Sequence, residues 1–361
     1  MRSLKLYIVL CCITIVAGCN PTGPRSLRMG RASYNIAIQQ TNNEQLLLNL
    51  VRLRYRDTPY FLEVATVSTA FDLTAAASAI ASLPESADRT YDLGAGISYS
   101  EQPTVTYTPL QGDEFVTQLM SPVDLNTILL LYHSGWSVER IFRVCVQSLN
   151  GLKNAPSASG PTPDRVPIYK QFCEVAKLLR DLQIKGVLEM GQNVQQGDEK
   201  PAIELEIAKR ASDWDEVRRL CELLGLEFGR TNFRLTTEVG TGGKDRIAVA
   251  ARSLMASLFY LSQSVLVPPE DEHAGRVTVS RDEQGNRFDW RQVTGGLMEI
   301  RSATKRPANA YVLVLYRGAW FYIDDSDLTS KSTFSLLTQL SSLQAGEIKS
   351  PGPILTLPVT R

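Results

Sequence analysis

The chain has 361 residues, with 38 Lys and Arg set against 38 Asp and Glu, so its formal net charge is zero. No basic surplus marks a nucleic-acid partner. An apolar fraction of 43% with 21% charged residues is a globular balance, enough for a sizeable core.

Arg2 and Lys5 precede an apolar run, Leu6 to Val16, whose 11 residues are too few to cross a bilayer as a helix. Val16-Ala17-Gly18-Cys19 closes it. A short positive head, an apolar core and small residues predict a signal peptide over 1–18. The ending resembles the lipobox of bacterial lipoproteins, over residues 1–19 only. That resemblance implies cleavage before Cys19, a diacylglyceryl thioether on its sulfur and a third acyl chain on its amine. Cys19 is then a lipidation site and the chain's membrane anchor. Asn20, not Asp, follows it. By resemblance to the enterobacterial sorting rule, this implies the outer membrane with the body facing the periplasm. Removing 1–18 leaves 361 − 18 = 343 residues, with 38 − 2 = 36 basic and 38 acidic side chains, a net charge of about −2. No later stretch has 18 continuous apolar residues, so no transmembrane helix is expected.

Residues 19–30, with two prolines, two glycines, Arg25 and Arg28, read as a lipidated tether. A helix is predicted over Thr41 to Arg56, with Thr41 and Glu44 as a capping box and Leu46, Leu47, Leu50, Val51 and Leu53 inward. Asp57-Thr58-Pro59 stops it. Two segments of period two follow. In Tyr60 to Ala75, Phe61, Ala65, Val67, Phe71, Leu73 and Ala75 alternate with mostly polar positions. In Tyr91 to Tyr107, Tyr91, Leu93, Ala95, Ile97, Tyr99, Val105 and Tyr107 do so more cleanly. Both read as half-buried antiparallel strands, with Pro103 marking a bulge, an edge or a break. The Ala- and Ser-rich connection, Ala76 to Thr90, reads as a short helix or a loop.

Helices are predicted near Gly112–Met120 and Pro122–His133, and from an N-cap at Ser137 to Asn150-Gly151. The Pro- and Gly-rich stretch after Asn154 reads as a linker. The expected organisation is an N-terminal α+β domain over 31–154 with a long β-hairpin, a linker over 155–167, and a C-terminal α+β domain over 168–361. In the latter, helices are expected around Tyr169–Gly186, from an Asp213 cap to Gly225, as one long element over Ile247–Val265, and over Ser326–Leu343. Strands are expected at Val187–Met190, Ala202–Ile207, Leu226–Phe228, Phe233–Val239, Val277–Val279 and Gly296–Ala303. Tyr311–Tyr316 and Ala319–Asp324 form a hairpin about Arg317-Gly318, and Ile354–Pro358 a short tail strand. Helices and strands interleave without regular βαβ alternation, which favours α+β with antiparallel strands and hairpins in two domains.

Cys145, Cys173 and Cys221 sit at apolar positions of helical patterns and fit no zinc spacing. They read as small buried hydrophobes, with one disulfide as the alternative. Asp325-Ser-Asp327-Leu-Thr329 after an apolar strand resembles the first motif of haloacid-dehalogenase-type phosphatases. That would make Asp325 a nucleophile and Asp327 an acid/base with magnesium between them. Only 32 residues follow Thr329, too few for the Lys and further acids that family needs. The plainer reading is that these acids cap the next helix. Gly240-Thr-Gly-Gly-Lys244-Asp245 lacks the first glycine and the final Ser or Thr of a phosphate loop and reads as a turn. Gly94-x-Gly96 lies inside a strand and lacks the third glycine of a dinucleotide fingerprint. His133 sits at a helix end, and two histidines in all supply no metal site. Arg52, Arg54 and Arg56 with Tyr55 read as a solvated basic helix end, or as a holder of lipid phosphate.

No catalytic, cofactor or metal residue is expected, and no enzyme activity. The leading expectation is an envelope lipoprotein with a structural or scaffolding role, bound to the membrane through Cys19 and to an envelope protein partner. The second is a subunit of an oligomeric outer-membrane pore or export complex that inserts the 60–107 hairpin. Tyr91 to Tyr99 has the length of a membrane-crossing strand and aromatic ends. Many copies would then share a closed barrel, because one open hairpin cannot sit in lipid. In pattern alone this is similar to outer-membrane export lipoproteins of the curli-secretion type.

Overall fold

The computed structural model describes residues 22–82, 90–110, 112–161, 163–193, 201–238, 240 and 242–345. The signal peptide, Cys19 and the tail strand lie outside them. Contacts divide the chain into two units, Met1–Pro59 with Gly112–Ile348 and Tyr60–Gln111 with Lys349–Arg361. Within the described residues, the second unit is a lone hairpin and the first is a body of helices and two sheets. The fold is α+β, as the interleaved pattern predicts.

The first element, α1, runs from Thr22 to Arg54. It starts well before the predicted Thr41, so the stretch read as a tether is helical from Thr22 on. Pro24 falls in the first turn, where no N–H is needed. Thr41 is an interior residue, not a cap. Its Oγ1 donates back to the carbonyls of Ala37 and Ile38 at 3.0 and 2.9 Å, the bond by which threonine is tolerated within a helix. Leu46, Leu47, Leu50, Val51 and Leu53 are buried as their spacing requires. Arg56 takes a left-handed conformation, φ 63°, and ends the helix.

Strands β1, Leu62–Ser82, and β2, Thr90–Pro109, follow. Ala76–Ser82, read as helix or loop, is strand.

In the body come α2, Asp113–Met120, α3, Leu125–His133, and α4, Val138–Cys145. The Ser137 hydroxyl caps α4, accepting from the Arg140 N–H at 3.5 Å. The helix predicted to reach Asn150 stops at Cys145. Val146 turns extended and the chain pairs as β3, Val146–Leu149, with β4, Leu152–Lys153, beside it. Residues 155–167 hold a 3-10 turn, Pro156–Ser159, with Ala155 and Ala158 fully buried. Then follow α5, Lys170–Ile184, β5, Leu188–Asn193, β6, Ala202–Ile207, and α6, Asp215–Leu224. The N-cap of α6 is Trp214 rather than Asp213, and Gly225, φ 69°, closes it as predicted.

Leu226–Phe228 is not a strand, while β7 is Asn232–Thr236. The predicted helix over Ile247–Val265 divides into β8, Arg246–Ala251, and α7, Leu254–Ser262. In Arg246–Ala251 buried Ile247 and Val249 alternate with smaller or polar residues, a period of two. The Ser253 hydroxyl then starts α7 by accepting from the Ala256 N–H at 3.1 Å. The rest is α8, Pro269–His273, α9, Arg291–Thr294, β9, Arg301–Ala303, β10, Ala310–Tyr316, β11, Ala319–Asp324, and α10, Leu328–Ala345. Val277–Val279 is not strand, and of Gly296–Ala303 only the last three residues are.

The larger sheet has the order β4-β3-β8-β7-β6-β5, antiparallel except for the parallel pair β7–β8. Strands from both sides of residues 155–167 therefore share one sheet. The smaller sheet has the order β10-β11-β9. Arg252, at the junction of β8 and α7, is almost wholly buried. Its guanidinium donates to the carbonyls of Arg143 and Val146 at 3.0 and 2.9 Å and to that of Asn154. Its Nε donates to Ser159 Oγ at 2.9 Å, and it stacks 4.1 Å over the Tyr260 ring. Burial lowers its pKa to about 10, so it stays charged at neutral pH. One side chain thus satisfies the carbonyls where helix α4, strand β3 and the 3-10 turn converge.

Candidate assembly element

The hairpin is built by residue type and register. β1 and β2 are 21 and 20 residues long, against a usual five or six. At about 3.3 Å per residue they extend roughly 65 Å. Position 67 pairs with 105, and the pairing continues without a shift to Ser82 opposite Thr90. Odd positions of one strand therefore meet odd positions of the other. Leu73, Ala75, Ala77, Ala79 and Ala81 stand opposite Tyr99, Ile97, Ala95, Leu93 and Tyr91. Thr74, Ala76, Ser78 and Ile80 stand opposite Ser98, Gly96, Gly94 and Asp92. Directly opposed residues belong to one face of an antiparallel pair. The register thus assembles one mainly apolar row and one mainly Ser, Thr and Gly row.

Near the base the register shifts between Val64 and Thr66, leaving Ala65 as an extra residue. In β1 the apolar positions change parity there, from Leu62 and Val64 to Val67, Phe71 and Leu73. A straight pairing would send the two sets to opposite faces. The bulge returns Val64 to the row of Val67, opposite Tyr107 and Val105. The parity change is the sequence signal for it. Of the bulge, edge or break expected at Pro103, the structure holds the edge, and Pro103 keeps register with Thr69. It is tolerated because, in a two-stranded sheet, each strand is an edge strand. Among the described residues, no third strand pairs with β1 or β2.

The body holds the other residues singled out by sequence. Arg54 is not solvated. It is buried, its Nη1 donates to the Thr278 carbonyl at 2.9 Å, and desolvation lowers its pKa to about 10. Its neighbour Tyr55 donates to Asp271, which also pairs with Arg276 at 2.5 Å. Burial and that bond to a carboxylate raise the Tyr55 pKa. Desolvation works to raise the Asp271 pKa, and the bonds from Tyr55 and Arg276 outweigh it, leaving the carboxyl below its usual range. Asp57 accepts from Tyr316 and, at 2.9 Å, from Arg317 on the β10–β11 turn, and its pKa is lowered in the same manner. These pairings, not foreseen from sequence, fix the end of α1.

Asp325 and Asp327 each have a partner on the following helix. Asp327 caps α10, accepting from the Ser330 N–H and hydroxyl at 3.0 and 2.6 Å, while Asp325 pairs with Lys331 at 2.6 Å. Gly240, Gly242 and Gly243 border a cleft of about 580 Å³. Asn150 spans it, donating to the Leu224 carbonyl at 2.8 Å and accepting from the Ala248 N–H at 2.7 Å. A Cβ on Gly242 would lie 2.7 Å from Asn150 Oδ1, so the glycine serves this packing. Cys145, Cys173 and Cys221 are free, and burial raises each thiol, Cys145 to about 12. Among the described residues no cluster of His, Cys, Asp and Glu could hold a metal, and no helix is long and apolar enough to cross a membrane. Compared with known proteins, the chain matches no family model, no curated protein and no solved structure.

Proposed function

We propose that the chain is an outer-membrane lipoprotein, anchored through Cys19, whose 62–109 hairpin joins those of other copies in a transmembrane β-barrel for passage or export. The observation that carries this is the hairpin itself, with twenty residues on a strand, two-faced register and no third strand beside it among the described residues. A two-stranded ribbon is at best marginal in water. A membrane-crossing strand needs 9–11 residues alternating outward apolar and inward polar. The half nearer Ser82 and Thr90, Leu73–Ala81 with Tyr91–Tyr99, meets that length with Tyr at both ends of β2's share. Pairing hairpin to hairpin around a ring removes both edges.

The competing reading is the scaffold, in which the apolar row packs on protein. The variant Ile97→Arg separates the two. In a barrel the arginine would cost roughly 2–4 kcal/mol at mid-membrane. We expect an unchanged melting temperature and loss of the high-mass detergent assembly. A lowered melting temperature at unchanged monomeric size would return the hairpin to the scaffold reading, since a charge would then be buried unpaired.

A further inference from the structure

We infer, on the basis of the barrel reading, that the lumen selects cations and cationic solutes over anions. The charged positions of β1 and β2 are Glu63, Asp72, Asp92 and Glu101, all acidic, and neither strand contains a Lys or Arg. Their distribution is uneven. Asp72 is opposite Ser100, Asp92 opposite Ile80, and Glu63 opposite Thr108, all in the row of Ser, Thr and Gly positions. The bulge at Ala65 is what brings Glu63 into that row. Glu101 alone falls in the apolar row, opposite Phe71 and next to Pro103 opposite Thr69. That is where the apolar row is interrupted, so the half nearer Ser82 and Thr90 is the part without a charge in its apolar row.

In a barrel of identical hairpins each position becomes a ring. The polar row supplies rings of carboxylate at three levels, Asp92 within the membrane-length half, Asp72 at its boundary and Glu63 near the base, with no basic ring to offset them. Rings of Asp or Glu select for cations. The neighbouring Gly94, Gly96, Ser78 and Ser98 positions leave the wall small and uncharged, so the carboxylates dominate the potential along the channel.

The test is single-channel recording with the lipidated full-length protein in planar bilayers under a KCl gradient. The wild type is expected to reverse close to the potassium equilibrium potential, and Asp72→Asn/Asp92→Asn most of the way toward zero. A wild-type channel without cation preference overturns the inference and leaves the barrel standing. So does a double variant that keeps the full preference. If the wild type forms no channel at all, the barrel reading fails, and the inference fails with it. Should the double variant not insert, spermine decides. It is expected to block the wild-type channel where a polyanion of equal valence does not, and equal block by both overturns the inference.

Discussion

Two of the antiparallel hairpins, one short and one long, differ in an instructive way. The short one, β10–β11, turns on Arg317 and Gly318, both at positive φ as a two-residue turn requires. It has β9 as a third strand, and its inner row, Val312, Ala319, Phe321 and Ile323, is buried. Tyr55, just after α1, lies edge-on to Tyr316 and Phe321, at 5.7 and 6.1 Å. The long one, β1–β2, has the same alternation over three times the length, with no third strand among the described residues. The same pattern supports opposite fates. Alternation says that one face leaves water, and only the neighbours say whether protein or lipid receives it.

The comparison breaks if equal truncations give equal effects. Phe321 has no exposed surface, so Phe321→Ala is expected to cost about 3–5 kcal/mol, read by denaturant or thermal melting. Leu73→Ala in the long hairpin is expected to leave the melting of the body unchanged. A comparable loss from Leu73→Ala would mean that the long hairpin packs on a core.

A smaller effect sharpens the account of the α1 end. The Asp271 carboxyl lies below its usual range in the folded chain. A depressed carboxyl contributes stability that is fully present above the unfolded value of about 3.9 and is lost as pH falls through the folded one. The gap in melting temperature between wild type and Asp271→Asn is therefore expected to be constant from pH 7 to about pH 5. It should close below about pH 4. A gap that widens in acid would contradict the assignment. Smallest is the cap of α10. Asp327→Ala is expected to cost about 1 kcal/mol and Asp327→Asn only a few tenths. Equal losses from both would show that charge rather than capping matters there.

Legibility from sequence was uneven for physical reasons. The cap at Ser137, Gly225 as a helix stop and the Arg317-Gly318 turn are local chemistry and were readable. The β8–α7 division was not, because Arg246–Ala251 is an apolar run that either period fits until its partners are known. The buried Arg252 and the Tyr55–Asp271 and Asp57–Tyr316 pairs join residues far apart in the chain. Nothing in spacing announces them. The hairpin's two rows were legible, and the bulge was legible in principle from the parity change between Val64 and Val67.

The most direct test of the central claim is single-particle electron microscopy of the lipidated full-length protein, extracted in mild detergent. The account predicts a closed ring with two strands per copy, β1 of one copy beside β2 of the next. An aqueous channel needs about 16 strands, hence about eight copies. Particles that are single copies, each with its hairpin packed on its own body, would contradict it.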